Sequence, residues 1–304
     1  MKKKILVIGS MNTDMVVKTP RIPHAGETIL GGIFSRFEGG KGANQAIAAK
    51  MLFPDTSFCA GVGDDSMGAD YLRYLKRRRV DVSLVKKFKD AHSGVALITV
   101  DRRGENAITV APGANLLLSP KDMAKINFSQ FSHVAFQLET DLDTVCEGLE
   151  RAKAAGCETI LTPAPAVILP RTMLRNVDYI IPNEHEIMLV QKGYSNAADA
   201  ARALLKKGVK HVIITQGSKG SLLIDWDGEK RFPAHKVQAV DTVGAGDCFT
   251  GSFMAGLRIY GDIEKAIKLA TAAAALAVCH MGAQSYRPKR EVLAFMRKNE
   301  NLTV

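Results

Sequence analysis

The feature that most constrains how this chain can fold is an alternation. Short runs of β-branched and apolar residues are followed, again and again, by stretches with helical spacing. Residues 4–9 form an apolar run closed by a glycine, and 56–60, 133–137, 158–161, 179–181 and 211–215 are of the same kind. Helical spacing fills 43–52, 67–77, 143–155 and 197–207, then 245–259, 263–278 and 289–297. Strands that are apolar throughout are buried on both faces, and strands separated by helices pair in parallel through crossovers. The expected fold is therefore α/β, a mainly parallel sheet sandwiched by helices, with ligands outside the carboxyl ends of the strands.

Three places depart from that rhythm. Residues 15–38 are β-branched and aromatic but broken by Pro20, Pro23, Gly26, Gly31 and Gly32, and 91–112 hold two further strand-like runs. A hairpin is expected around Asp227-Gly228. No internal repeat or low-complexity linker interrupts the sequence. We expect one domain over 1–304, with a small β-sheet lid formed by discontinuous strands near 15–38 and 91–112.

Composition narrows the function classes. With 46% hydrophobic and 24% charged residues the chain has globular, not disordered, composition. The net charge of +10 fits either solubility or an anionic substrate. The basic residues are dispersed, apart from Lys2-Lys3-Lys4 and Arg77-Arg78-Arg79, and no basic stripe interleaves with aromatics, so nucleic acid is not an expected partner. Five cysteines, an odd number with no C-x-x-C pair, argue against a disulfide framework or a zinc knuckle. The apolar run after the N-terminal lysines is too short for a signal peptide, and no stretch of 18 apolar residues exists. A soluble, cytoplasmic protein with no membrane partner is expected.

Five segments carry polar chemistry at strand ends. In Asp241-Thr242-Val243-Gly244-Ala245-Gly246-Asp247, two glycines open a helix. They let the backbone approach a ligand closely, and the helix N-terminus favours an anion such as a transferring phosphoryl group. Asp247, in the first turn, is placed to take a proton from an attacking hydroxyl, or is simply an N-terminal helix carboxylate. Gly39-Gly40-Lys41-Gly42-Ala43-Asn44-Gln45 lacks P-loop spacing, and its groups suit a polyol, or a plain flexible turn. Asn12 and Asp14, in a polar turn after the first strand, suit sugar hydroxyls or an Asx turn. Asn183 and Glu186 share a face of a starting helix. They suit Mg²⁺ held through waters, or a capping box. Thr215-Gln216-Gly217-Ser218-Lys219-Gly220 is a glycine-bounded turn that fits nucleotide phosphates or no ligand at all.

Further short segments complete a series: Val-Gly-Asp-Asp at 62–65, Gly-Ala-Asn at 113–115, Gln-Leu-Glu at 137–139, Pro-Ala-Pro-Ala at 163–166 and Gly-Ala-Gln at 282–284. Taken in order, the ten segments resemble the ribokinase family, the PfkB-type carbohydrate kinases, over nearly the whole chain. The resemblance implies ATP-dependent phosphorylation of the 5-hydroxyl of D-ribose. It implies sugar contacts from Asp14, Gly40, Lys41, Asn44 and Glu139, with Asn12 nearby, and Asp247 as base beside an anion hole of Gly244, Ala245 and Gly246. ATP contacts are implied for Asn183, Thr215, Gln216, Gly217, Ser218, Lys219, Gly220, Gly246 and Thr271. Mg²⁺ would be influenced by Glu186 through water. K⁺, the usual activating monovalent cation, would lie beside Asp241, Val243, Ala277, His280 and Gly282. A homodimer through the β lid is also implied.

Thr162 stands where the family usually has Asn, Thr271 where Asn or His is common, and Ser285 directly follows Gln284 where a serine is often one place later. A kinase for 2-deoxyribose or a nucleoside is the near alternative. An oxidoreductase would need G-x-G-x-x-G after the first strand, which is missing. A non-catalytic sugar-binding protein would not need Asp247 beside an anion hole.

Overall fold

The structure, a computed structural model, describes residues 3–300, with the side chain of Glu300 outside the description; Lys2 of the N-terminal lysine run also lies outside it. The strands are β1 (Lys4–Ile8), β2 (Asn12–Lys18), β3 (Ile33–Gly39), β4 (Thr56–Cys59), β5 (Gly61–Gly63), β6 (Lys86–Phe88), β7 (Gly94–Val100), β8 (Asn106–Ala111), β9 (Phe131–Phe136), β10 (Glu158–Leu161), β11 (Tyr179–Ile180), β12 (His211–Thr215), β13 (Ser221–Asp225) and β14 (Gly228–Phe232). The helices are α1 (Lys41–Leu52), α2 (Ser66–Arg77), α3 (Pro120–Met123), α4 (Leu142–Ala154), α5 (Arg171–Leu174), α6 (Glu184–Val190), α7 (Ala197–Lys206), α8 (Ala245–Tyr260), α9 (Ile263–Ala277) and α10 (Lys289–Glu300).

Eight strands make the main sheet, in the order β14-β13-β12-β11-β10-β9-β1-β4. Pairing is parallel from β4 to β12 and antiparallel only in the β12-β13-β14 edge. The mainly parallel sheet expected from the alternation is thus present, with the hairpin at its edge. Strand β1 shows why both faces are filled. Ile5 and Val7 enter one core with α1, α8 and α9, while Leu6 and Ile8 enter the other with α4 and α7. Strand β1 is also the switch point, with β4 on one side and β9 on the other, so a crevice opens past the ends of β1 and β9.

A second sheet, β3-β2-β7-β8, stands over that crevice because β2 continues from β1 after three residues. Its register puts Asp14 level with Phe37, Ala96 and Val110. Asn12 and Asp14 lie on strand β2, not in the polar turn expected from the sequence. Their extended backbone is set by partners in β3, 23 to 27 positions away, and in β7, 82 positions away, which leave no local trace. Helix α1 also begins at Lys41, two residues earlier than expected. Gly40 alone makes the turn, with φ of 89°, and a Cβ there would stand 2.7 Å from the Asn12 nitrogen. The three-residue pair β5-β6 and the short helices α3 and α5 were too brief to show any periodicity.

Among the described residues no helix is long and apolar enough to cross a membrane.

Candidate active site

The crevice is built by segments that leave the carboxyl ends of β1, β9, β10, β11 and β12 and meet the N-termini of α1 and α8. A cleft of about 190 Å³ lies there, lined by Lys41, Thr162, Asn183, Glu186, Thr215, Thr242, the 244–247 turn and Thr250.

The α8 end is built on a tight turn. Gly244 caps the helix in the left-handed region, with φ of 76°. A Cβ at Gly244 would meet the Ala283 carbonyl oxygen at 2.4 Å, so the loop after α9 is packed directly on this turn. Asp241 ties the two loops together. Its Oδ1 accepts from the Val243 amide at 3.0 Å and its Oδ2 from the Gly282 amide at 2.9 Å. By contrast nothing lies within 4 Å of a Cβ built on Gly246. The first amides of α8 have no intrahelical acceptor and are available to an anion there.

Asp247 projects into the cleft and is only 8% exposed. Its Oδ2 accepts from Asn44 Nδ2 at 2.9 Å and its Oδ1 from Gln45 Nε2 at 3.1 Å. Burial pushes its proton affinity above that of an ordinary carboxylate, against the opposing pull of Lys41, Asn44 and Gln45. For Lys41 the balance runs the other way. Burial disfavours its charge, but Asp247, Glu139 and Glu186 outweigh it and hold the ammonium above its usual range. The site therefore pairs a proton acceptor with a firmly charged cation.

The second half of the crevice holds the candidate sugar groups. Glu139 Oε2 accepts from the Ser10 hydroxyl and from the Lys41 amide, at 3.0 Å for the latter, which locks the start of α1 to the end of β9. Asn115 Nδ2 donates to Asn12 Oδ1 at 2.7 Å. Asp14 lies over Gly39, where a Cβ would be 2.1 Å from its Oδ2. Burial first, then Glu139 and Glu38, raise the Asp14 carboxyl to about 7.

The structure brings Asn183 and Glu186 to the cleft as a reciprocal capping box on α6. Asn183 Oδ1 accepts from the His185 and Glu186 amides, and Glu186 Oε2 accepts from the Asn183 amide. Thr215 lines the cleft, and the 217–220 turn follows it, with Gln216 Nε2 donating to Glu184. Thr271 is not among the described residues lining the cleft; its hydroxyl is turned back onto the Ile267 carbonyl at 2.8 Å. The Glu186 carboxylate and the Thr242 hydroxyl, both lining the cleft, are hard oxygen donors that suit Mg²⁺ bound largely through waters and phosphates. The Asp241 carboxylate with the carbonyls of the 277–285 loop suits a weakly held monovalent cation, and the Ser285 hydroxyl joins that loop by donating to the Ala277 carbonyl at 3.1 Å.

Several residues here were not singled out from sequence: Ser10, Gln45, Thr250, and Gln284, whose amide donates to Asn44 Oδ1 at 2.8 Å and to the Tyr71 hydroxyl at 3.1 Å. Gln45 had one legible signal, a polar side chain in an otherwise alanine-rich helix face, and it is fully buried.

The match to protein families covers residues 2–290 and is to "pfkB family carbohydrate kinase". A deoxyribokinase of Salmonella typhi is 38% identical over 94% of this chain and 96% of its own length. A ribokinase of Staphylococcus aureus is 36% identical over 96% of this chain and 98% of its own. Among solved structures, the Arabidopsis thaliana ribokinase complexed with ribose and ATP superposes with a TM-score of 0.89, at 29% identity, over 98% of this chain and 99% of that one.

Proposed function

Since this chain belongs to the pfkB family of carbohydrate kinases, we propose that it transfers the γ-phosphoryl group of ATP to the 5-hydroxyl of D-ribose, giving ribose 5-phosphate. The observation that carries this reading is one juxtaposition. A buried carboxylate of raised proton affinity, Asp247, stands in the first turn of α8, next to the open space over Gly246 and in the same cleft as Lys41. A base, an anion hole and a cation in one place are what in-line phosphoryl transfer to an alcohol requires.

The roles follow from chemistry. Asp14, Asn12, Glu139, Lys41, Asn44 and the backbone at Gly40 hold the sugar in the crevice between β1 and β9. Asn12 has its carbonyl end occupied by Asn115, so its amide end is left to donate to a hydroxyl. Asp247 takes the proton of the attacking hydroxyl. The amides of 244–246 receive the charge that develops on the phosphoryl oxygens, where preorganised donors act without rearranging. Asn183, Thr215 and the 216–220 turn border the nucleotide; Thr271, one helix away, would contact only its base. Mg²⁺, when bound with ATP near Glu186, neutralises phosphate charge. K⁺ beside Asp241, Val243, Ala277, His280 and Gly282 would supply positive charge behind the anion hole.

A second reading has a specific support, the deoxyribokinase at 38% identity. On that reading 2-deoxyribose is the better substrate. We favour ribose because Asn12 and Asp14 together offer partners to two adjacent hydroxyls. The exposed apolar residues of the small sheet, Ile33, Phe34, Leu97 and Ile108 among them, support a homodimer in which two such sheets pack together. Five free cysteines and dependence on ATP support a cytosolic setting.

The test is an ATP-consumption assay across ribose, 2-deoxyribose, fructose, adenosine and ribulose, with the product position read by NMR. The highest kcat/KM with ribose, and phosphate on O5, is the expected result. Higher kcat/KM with 2-deoxyribose would select the second reading, and turnover of none of them would remove the kinase proposal.

A further inference from the structure

We propose that Gln45 is a positioning residue for the base. Its side-chain amide, oriented by Gln137 and Thr162, holds Asp247 Oδ1 and keeps the carboxylate ready to accept a proton. The inference rests on Asp247 being the base.

Gln45 is fully buried, and apart from its neighbour Asn44 the other buried residues of α1 are glycine, alanine, isoleucine and leucine. A buried amide is costly unless each end is used. Its Nε2 donates to Asp247 Oδ1 and to Thr162 Oγ1, both at 3.1 Å, and its Oε1 accepts from Gln137 Nε2 at 2.7 Å. The opposite orientation would set the Gln45 carbonyl against a carboxylate oxygen, two acceptors face to face. Asp247 therefore fixes the direction of the whole chain of amides.

The other carboxylate oxygen is braced in the same way. Asn44 Nδ2 donates to Asp247 Oδ2, and Asn44 Oδ1 accepts from Gln284 Nε2 at 2.8 Å. Each arm ends in an acceptor with no protein partner, Gln137 Oε1 in one and Gln284 Oε1 in the other. Both atoms are buried, and a Cβ at Gly9 would stand 1.9 Å from Gln137 Oε1. Unsatisfied buried acceptors are rare because they destabilise a fold. Here both sit at the far ends of arms whose amides are turned so that Asn44 and Gln45 donate to Asp247, which marks a network arranged around the carboxylate and not for its own satisfaction.

The titratable groups that face Asp247 are Lys41 on α1, Glu139 after β9, Cys248 beside it on α8 and Tyr286 after α9. Lys41 and the two amides favour its charged form; burial and Glu139 oppose it. Removing one amide must therefore raise the pH at which Asp247 becomes a carboxylate.

The experiment is the pH profile of kcat at saturating sugar and ATP, where the sugar already occupies Asp14. For Gln45→Met we expect the acid limb to move up by roughly one pH unit, as loss of one charge-assisted hydrogen bond requires. The KM for sugar should stay within about threefold, since the residue acts through the base. In an Asp247→Asn background the same substitution should cost less than about twofold more, because nothing remains to be held. Gln137→Met, which frees the Gln45 amide without touching Asp247, should move the limb in the same direction by less, and decides the matter if Gln45→Met does not fold. A folded Gln45→Met, or failing that a folded Gln137→Met, whose limb lies within about 0.2 pH unit of wild type would overturn the proposal. Equal losses in both backgrounds would do the same. Full activity of Asp247→Asn alone would instead remove the base itself, and the inference with it.

Discussion

The α8 end of the crevice and the small sheet above it are built on opposite principles. At α8 the turn is closed on every side except the cleft over Gly246. Gly244 lies under the Ala283 carbonyl, Asp241 bridges two loops, and both oxygens of Asp247 are held. The small sheet is open. Strand β8 is exposed along its whole length, and Phe34 and Ile33 are 61% and 69% exposed. One region finishes its own packing, while the other presents apolar surface that water does not satisfy. On the proposed function, phosphoryl chemistry falls on the closed side and sugar capture at the seam, where Asp14 lies on β2 of the small sheet and Glu139 just after β9 of the large one.

The contrast can be broken most sharply at Gly244. A valine there meets both the Ala283 carbonyl and a left-handed backbone, so Gly244→Val should lower kcat by roughly 10²–10³-fold. Gly246→Ala, with open space for its methyl, should leave the melting temperature unchanged and raise the KM for ATP. Loss of stability without loss of activity would reverse the roles given to these glycines.

At the seam, Asp14→Asn should raise the KM for sugar by about 10–100-fold, the worth of a hydrogen bond to a charged group. Its stability should change with the opposite sign. Because the folded carboxyl is raised from 3.8 to about 7, the native state holds its proton more tightly than the unfolded chain. Native stability is then lost as pH rises through that window. Asparagine removes the loss, so the variant should gain more at pH 8 than at pH 5, by roughly 1–4 kcal/mol. Thermal unfolding at the two pH values checks this, and a gain confined to pH 5 would refute it.

Smaller effects are expected farther out. K⁺ should stimulate turnover several-fold, and equal rates in Na⁺, in K⁺ and without added monovalent ion would contradict the cation site beside Asp241. Phe34→Glu, on the open sheet, should convert a dimer to a monomer in analytical ultracentrifugation with kcat changed by less than about threefold. A wild-type protein that sediments only as monomer at micromolar concentration would remove the dimer.

The two regions also differed in how much of them the sequence made legible. The 241–247 turn was readable because its chemistry is local: the glycines, the helix start and the carboxylate fall within seven residues. The parallel sheet was readable because each buried strand carries its own apolar run. Gln45 was not, since the carboxylate it holds lies 202 positions away. Nor was the strand character of Asn12 and Asp14, whose polar side chains suggest a turn until β3 and β7 are alongside. Asn183 and Glu186 carried both readings in sequence, and the structure shows the capping box forming at the rim of the cleft.

The most direct measurement of the central claim is kcat for Asp247→Asn beside wild type, at saturating ribose and ATP, with the fold verified by circular dichroism. Asparagine keeps the shape and the neighbours but cannot take a proton, so kcat should fall by roughly 10²–10⁴-fold while the melting temperature holds or rises. A kcat within about twofold of wild type would contradict the account, since the carboxylate around which both amide arms are arranged would then not be the base.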